Sequence, residues 1–163
     1  MNTSTELDST IRDLMSGAKG LLAADESTST IAKRLKAAGV ASTEDHRRAY
    51  RLLLLSTPGL ADYVSGIILF EETLAQRADD GTRLGEFAAR AGFVPGVKVD
   101  AGKMALASSP GESITQGLDD LSQRLDAYKQ QGARFAKWRA VFNVSDALPS
   151  RLAVIANAVS LAR

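Results

Sequence analysis

The chain has no cysteine and a single histidine, His46. The first absence removes disulfides, thiolate metal sites and CxxC redox chemistry; the second removes any multi-histidine metal centre. No metal and no cofactor is therefore expected, and any catalysis falls to Lys, Asp, Glu, Ser or Tyr. An excess of one charge is also missing, since 20 basic residues face 19 acidic ones for a formal net charge of +1. Like charges do not run in blocks, so neither a nucleic acid nor an anionic membrane surface has an electrostatic footing as partner. No apolar run approaches the roughly 18 residues of a membrane span, and the polar opening from Met1 to Thr10 is unlike a secretion signal. The cytoplasm is the expected compartment. GxGxxG, the phosphate-binding P-loop and GxSxG are all absent, which leaves nucleotide binding and serine-hydrolase chemistry without a motif. What is present is an ordinary globular composition, 45% hydrophobic and 24% charged over 163 residues. It suits one domain over 1–163 and a small ligand.

Hydrophobic spacing orders the chain into alternating elements. Leu7, Ile11 and Leu14 recur at helical spacing and predict a short amphipathic helix closed near Gly17. Lys19 to Ala24 reads as a short buried strand, and the polar turn Asp25 to Thr30 leads into a helix carrying Ile31 and Leu35 that stops at Gly39. Ala41 to Asp45 offers a second cap, before a helix whose apolar face is Tyr50, Leu53 and Leu54 and which ends ahead of Thr57-Pro58. Ser65 to Phe70 is apolar almost throughout, as expected of a parallel strand covered on both faces. Thr73 to Ala78 reads as helix, as does the segment of Leu84, Phe87, Ala88 and Ala91 up to Gly92. A third strand runs from Phe93 to Asp100. After a loop containing Pro110-Gly111, Leu118, Leu121, Leu125 and Tyr128 mark a helix, Ala133 to Phe142 a fourth strand, and Leu148 to Ala162 a final helix started near Pro149. Four strands alternating with helices specify right-handed crossovers and a parallel α/β sheet. Half of an eight-fold barrel and a four-stranded open sheet satisfy this pattern equally.

Three of the strands end on charge, at Asp25, at Lys98 with Asp100, and at Lys137 with Arg139. A charge on a strand built for burial costs several kcal/mol unless it is paired or used. Residues two apart on a strand share a face, so the alternation sets Lys98 beside Asp100, and Lys137 beside Phe135 and Arg139. Such a rim can bind a phosphate, lower a lysine pKa and supply a carboxylate as proton acceptor, which suits phosphosugar chemistry. An internal salt-bridge network that sets strand register is the competing reading. Ser27 and Thr30 can donate to a phosphate at a helix start or simply cap it. Glu71 and Glu72 read as a solvated strand exit or as supporting groups, and Trp138 and the three tyrosines as packing. His46, among charged neighbours, reads as exposed and without a role.

At these residues the chain resembles a known family. Leu-Ala-Ala-Asp25-Glu-Ser-Thr with Ile-Ala-Lys-Arg34-Leu, Ile-Leu-Phe-Glu71-Glu-Thr, Gly-Val-Lys98-Val-Asp100, Gly-Glu-Ser-Ile-Thr-Gln-Gly-Leu-Asp119 and Phe-Ala-Lys137-Trp-Arg139 are similar, in order and spacing, to class I fructose-bisphosphate aldolases. The resemblance implies parallel (β/α) units forming the first half of a TIM (β/α)8 barrel, with an N-terminal helix and the first four strands. It also implies a metal-free lysine Schiff-base cleavage of fructose 1,6-bisphosphate to dihydroxyacetone phosphate and glyceraldehyde 3-phosphate, in glycolysis. Asp25 then resembles the carboxylate that assists Schiff-base formation and carbon-carbon cleavage, and Lys137 the lysine that stabilises developing charge and moves protons. Lys98 resembles the lysine that contacts the 6-phosphate, Ser27 and Thr30 the hydroxyls near it, and Arg34 and Arg139 nearby basic groups. Where the family commonly has Gly-Ser, this chain has Ser29-Thr30.

The family is about twice this long. Its Schiff-base lysine and later phosphate ligands are expected beyond Arg163, so the chain is expected to be a fragment that turns over negligibly alone. Its partners are expected to be a sugar phosphate, further copies of itself (usually a tetramer in the family) and a second chain that completes the barrel. A half barrel also leaves strand edges unpaired, so self-association is expected. A non-catalytic sugar-phosphate-binding or assembly fragment is the alternative.

Overall fold

A computed structural model describes residues 3–163. The chain falls into two compact units, one made of residues 1–98 and 126–136, the other of residues 99–125 and 137–163.

In the first unit the order is α1 (Thr3–Leu14), β1 (Gly20–Ala24), α2 (Thr28–Ala37), α3 (Glu44–Leu55), a 3-10 turn at Leu60–Asp62, β2 (Val64–Leu69), α4 (Glu71–Ala75), α5 (Leu84–Arg90) and β3 (Val94–Lys98). The end of α6 (Leu121–Gln130) and the start of β6 (Phe135–Lys137) return to this unit. The sheet order is β1-β2-β3-β6. β1 pairs with β2 in parallel, Ala24 opposite Leu69, and β2 pairs with β3 in parallel, Leu69 opposite Val97. The alternation of strand and helix and the parallel pairing are those of the first half of a (β/α)8 barrel.

The core sits on β2 and β3. Ile67, Ile68, Leu69, Val94 and Val97 are buried, together with Leu74, Leu84 and Ala88 from the helices that cover them. The uninterrupted apolar run of β2 is thus explained by burial on both faces. β1 departs from the expectation of a buried strand. It lies at the sheet edge, only Ala24 is buried, and Leu21 is more than half exposed, because among the described residues one flank of β1 has no neighbouring strand.

Helix limits follow local chemistry. Thr43 caps α3 by accepting from the His46 N–H at 3.2 Å, and Gly39, at φ 72°, provides the left-handed turn that follows α2. The expected helix at 73–78 starts two residues earlier and stops at Ala75. Residues 76–84 instead fold back through an Arg77–Arg83 bridge, with Leu84 N–H donating to Gln76 O at 2.9 Å. The apolar face expected on α3 is also corrected: Leu53 points to solvent, while Arg51 and Leu55, four apart, are the buried pair.

In the second unit Lys103–Ala105 (β4) and Ser113–Thr115 (β5) form an antiparallel hairpin, Met104 opposite Ile114, where a loop was expected. The third expected strand leaves the sheet after Lys98, and the fourth is only Phe135–Lys137 rather than Ala133 to Phe142. Just past β3, Val99 N–H still donates to Lys137 O of the neighbouring β6 at 3.0 Å, whereas beyond β6 the Arg139 carbonyl accepts from Thr115 Oγ1 of the hairpin at 2.7 Å. The last helix, α7 (Arg151–Ala162), is held to the hairpin at its start and middle. Buried Glu112 accepts from Ser150 N–H at 2.7 Å and Ser150 Oγ at 2.5 Å, while Asn157 Nδ2 donates to Ser113 O at 3.0 Å.

Two tests follow from this packing. Gly85, on α5, is buried, and an added Cβ would lie 2.5 Å from the Gln131 backbone oxygen and 2.9 Å from Leu74 Cδ1. Alanine's helix preference is worth about 1 kcal/mol over glycine, but a backbone oxygen cannot yield cheaply. Gly85→Ala should therefore lower stability in urea unfolding by roughly 1–3 kcal/mol. Glu72 on α4 is clamped by Arg47 of α3, Nε donating to Oε2 at 2.8 Å with Nη2 on Oε1. These hydrogen bonds hold the Glu72 carboxyl below the usual glutamate range. A depressed folded-state pKa stabilises above the unfolded pKa and is lost as pH falls through the lowered one. Glu72→Gln should cost roughly 1–2 kcal/mol at neutral pH, and the gap to wild type should close in acid.

Candidate functional site

The expected site residues are set by where the strands of the sheet stop. Asp25 is the first residue after β1, and Lys98 is the last of β3. Both are half-buried, and both stand at the C-terminal ends of strands in the parallel part of the sheet. Just beyond Asp25 the chain enters α2. Ser27 occupies the N-cap position without a capping bond from its own side chain. Its Oγ lies 3.2 Å from Thr30 Oγ1 and 3.3 Å from Ser29 Oγ, so three hydroxyls gather at the first turn of the helix. Arg34, one turn further, has a largely exposed side chain and pairs with Glu26 Oε1.

In the second unit Lys137 closes β6 and is half-buried. Arg139 lies outside the strand and is exposed, with Nη2 4.0 Å from Oδ1 of the buried Asp100 carboxylate. Asp100 Oδ1 also accepts from Gly102 N–H at 3.2 Å. The strand-alternation argument that set Lys98 beside Asp100 and Lys137 beside Arg139 does not apply, because Asp100 and Arg139 both follow the last strand residue. Asp100 and Arg139 instead approach each other through the loops that leave β3 and β6.

Two residues that spacing did not single out anchor the first unit's part of the site. Arg51 is only 1% exposed. Its Nε donates to Ala24 O at 3.0 Å, and its Nη2 donates to Glu26 O at 2.8 Å and to Glu26 Oε2 at 3.0 Å. Its guanidinium also stacks over the Tyr50 ring at 5.2 Å. Burial pulls the Arg51 pKa down and the Glu26 carboxylate opposes it; an arginine remains charged in either case. Glu26 is therefore a buried carboxylate shared between Arg51 and Arg34, and Asp25 sits between the two carbonyls that Arg51 holds. The signal that could have found this pair is the row Arg47, Arg51, Leu55, whose spacing of four sets two arginines on the face that also carries a buried leucine.

The supporting carboxylates fall on α4. Glu72 takes Arg47, and Glu71 Oε2 accepts from the hydroxyl of the buried Tyr128 at 2.6 Å. His46 is exposed on α3, as its charged neighbours predict, with Nδ1 2.7 Å from Ala41 O. Among the described residues no helix is long and apolar enough to cross a membrane.

Residues 6–163 match the family described as glycolytic, fructose-bisphosphate aldolase class-I. The chain is 51% identical over 158 residues to a probable fructose-bisphosphate aldolase class 1 of Xanthomonas campestris, covering 97% of this chain and 47% of that protein. It is 53% identical over 145 residues to the cytosolic fructose-bisphosphate aldolase 6 of Arabidopsis thaliana, covering 89% of this chain and 40% of the relative. Among solved structures it is similar to fructose-bisphosphate aldolase from Plasmodium falciparum, determined in complex with TRAP and a small molecule inhibitor. The TM-score there is 0.93 at 42% identity, over 98% of this chain and 46% of that one. The chain thus spans about half the length of the relatives it matches. With residues 6–163 matching the family and relatives of about half identity covering nearly all of this chain, the chain belongs to the class I fructose-bisphosphate aldolases.

Proposed function

We propose that the chain contributes one half of a carbon-carbon lyase site acting on fructose 1,6-bisphosphate, yielding dihydroxyacetone phosphate and glyceraldehyde 3-phosphate. The observation that carries the reading is the placement of Asp25 and Lys98 at the C-terminal ends of two strands of one parallel sheet, with the Ser27, Ser29 and Thr30 hydroxyls grouped where α2 begins. Loops at that end of parallel strands are where such sheets bind ligands. Lys98, Ser27 and Thr30 then serve as donors to a phosphate, with Arg34 adding a cation at its edge; in the second unit Arg139 is a further basic group of the same kind. Asp25 acts as the carboxylate that assists iminium formation and carbon-carbon cleavage. Lys137 stabilises the charge that develops and relays protons.

The nucleophilic lysine that forms the Schiff base is, on this reading, not one of these 163 residues. Without an iminium the carbanion produced by cleavage has no electron sink, so the chain alone binds substrate and does not turn it over. On this reading the lysine-bearing strands come from outside these 163 residues, and further copies of the chain are partners in assembly only. The cytosolic plant relative supports a cytoplasmic setting.

Calorimetry and trapping test the two halves of the proposal. Titration with fructose 1,6-bisphosphate should give saturable heat, and Lys98→Ala should weaken binding by about tenfold or more, the worth of one charge-assisted phosphate contact. Borohydride reduction with dihydroxyacetone phosphate should leave no covalent adduct on the isolated chain. Absent heat in the wild type would contradict the binding assignment, and an adduct would contradict the assignment of the nucleophile elsewhere.

A further inference from the structure

We propose that Arg51 is a positioning residue for Asp25, acting through the two carbonyls that flank it and through the carboxylate of Glu26. The proposal deepens the reading above and rests on it, since it takes Asp25 to be the carboxylate that acts on substrate.

Arg51 spends its buried guanidinium almost wholly on one turn of backbone. Nε reaches Ala24 O, and Nη2 reaches Glu26 O, so the residue before Asp25 and the residue after it are gripped by a single planar group. The same Nη2 meets Glu26 Oε2, and the other oxygen of Glu26 takes Arg34. Buried ion pairs of this kind are rarely the most stabilising use of the space they fill, because desolvation offsets the attraction. A leucine in that place would take the Arg51 donors away from two backbone carbonyls and from one oxygen of the Glu26 carboxylate. What the arrangement supplies is geometry: two fixed carbonyls allow the backbone at Asp25 little freedom, and the Glu26 bridge ties that segment to the arginine on α2. Lysine cannot reproduce it. Its single ammonium lacks the rigid fork that reaches acceptors on both sides of Asp25.

The test uses the full 163-residue chain, isotopically labelled, with Arg51→Lys as the first variant. Amide hydrogen exchange from Asp25 to Ser27 should accelerate by about tenfold or more, equivalent to losing one charge-assisted hydrogen bond. The Asp25 carboxyl carbon resonance should shift or broaden. Exchange at Ile67 and Ile68 of β2 and at Val97 of β3 should stay at the wild-type rate. Glu26→Gln keeps the side-chain shape while removing the shared charge, and should speed the same amides by a smaller factor. A folded Arg51→Lys chain with wild-type exchange and an unmoved Asp25 resonance would overturn the proposal. So would equal acceleration across all strands, or failure of both variants to fold, since either makes Arg51 a support of the whole sheet rather than of one loop. None of these readouts involves substrate, so a wild-type chain without heat on adding the sugar bisphosphate would sink the functional reading while leaving this test intact.

Discussion

The buried contact between Arg51 and Glu26 is the constraint on which the geometry of the first unit's candidate site depends. β1 is an edge strand, where Leu21 is exposed and, among the described residues, one flank has no strand beside it. Edge strands fray and slip more readily than central ones. Asp25 follows that strand at once, so the pairing of β1 with β2 cannot by itself fix where its carboxylate stands. Arg51 supplies what the edge lacks, two charge-assisted bonds to backbone delivered from α3. Lys98 needs no such device, because β3 is paired with β2, is flanked by β6 and is buried over its first four residues.

Charge near the strand ends divides into groups committed to structure and groups facing outward. Arg47 with Glu72, and Tyr128 with Glu71, join helices around the sheet. Arg51 is wholly enclosed. Arg34, by contrast, shares Glu26 while keeping most of its side chain in solvent, beside the α2 hydroxyls. One carboxylate thus serves a buried cation and an exposed one. In the second unit Glu112 performs a comparable task, holding both the N–H and the hydroxyl of Ser150 at the start of α7. That helix nevertheless leaves Leu152, Ile155 and Val159 about half exposed.

The parallel sheet and the order of elements were legible because burial writes itself into composition. Val64–Leu69 has no charge to expose, and it lies in the middle of the sheet. The positions of Asp25 and Lys98 at strand ends were legible for the same reason, since each is where an apolar run meets its first charge; Lys137 closes a shorter run, Phe135-Ala136, that Arg134 precedes. Alternation cannot be carried as far as Asp100 and Arg139, because the period of two holds only while a residue stays on the strand, and both lie past the last strand residue. The β4–β5 hairpin was invisible because three-residue strands carry too few positions to show a period. Arg51 was missed because spacing rules count apolar residues as the inward ones, and a buried arginine is recognised only from the acceptors that fold around it.

The central claim is that strand-end residues of this chain receive a sugar phosphate. Mapping backbone amide shifts as fructose 1,6-bisphosphate is added tests it most directly. The resonances that move with saturation should be those of residues 25–30 and of Lys98. Shifts confined to residues remote from those strand ends, or a spectrum unchanged at saturating ligand, would contradict it.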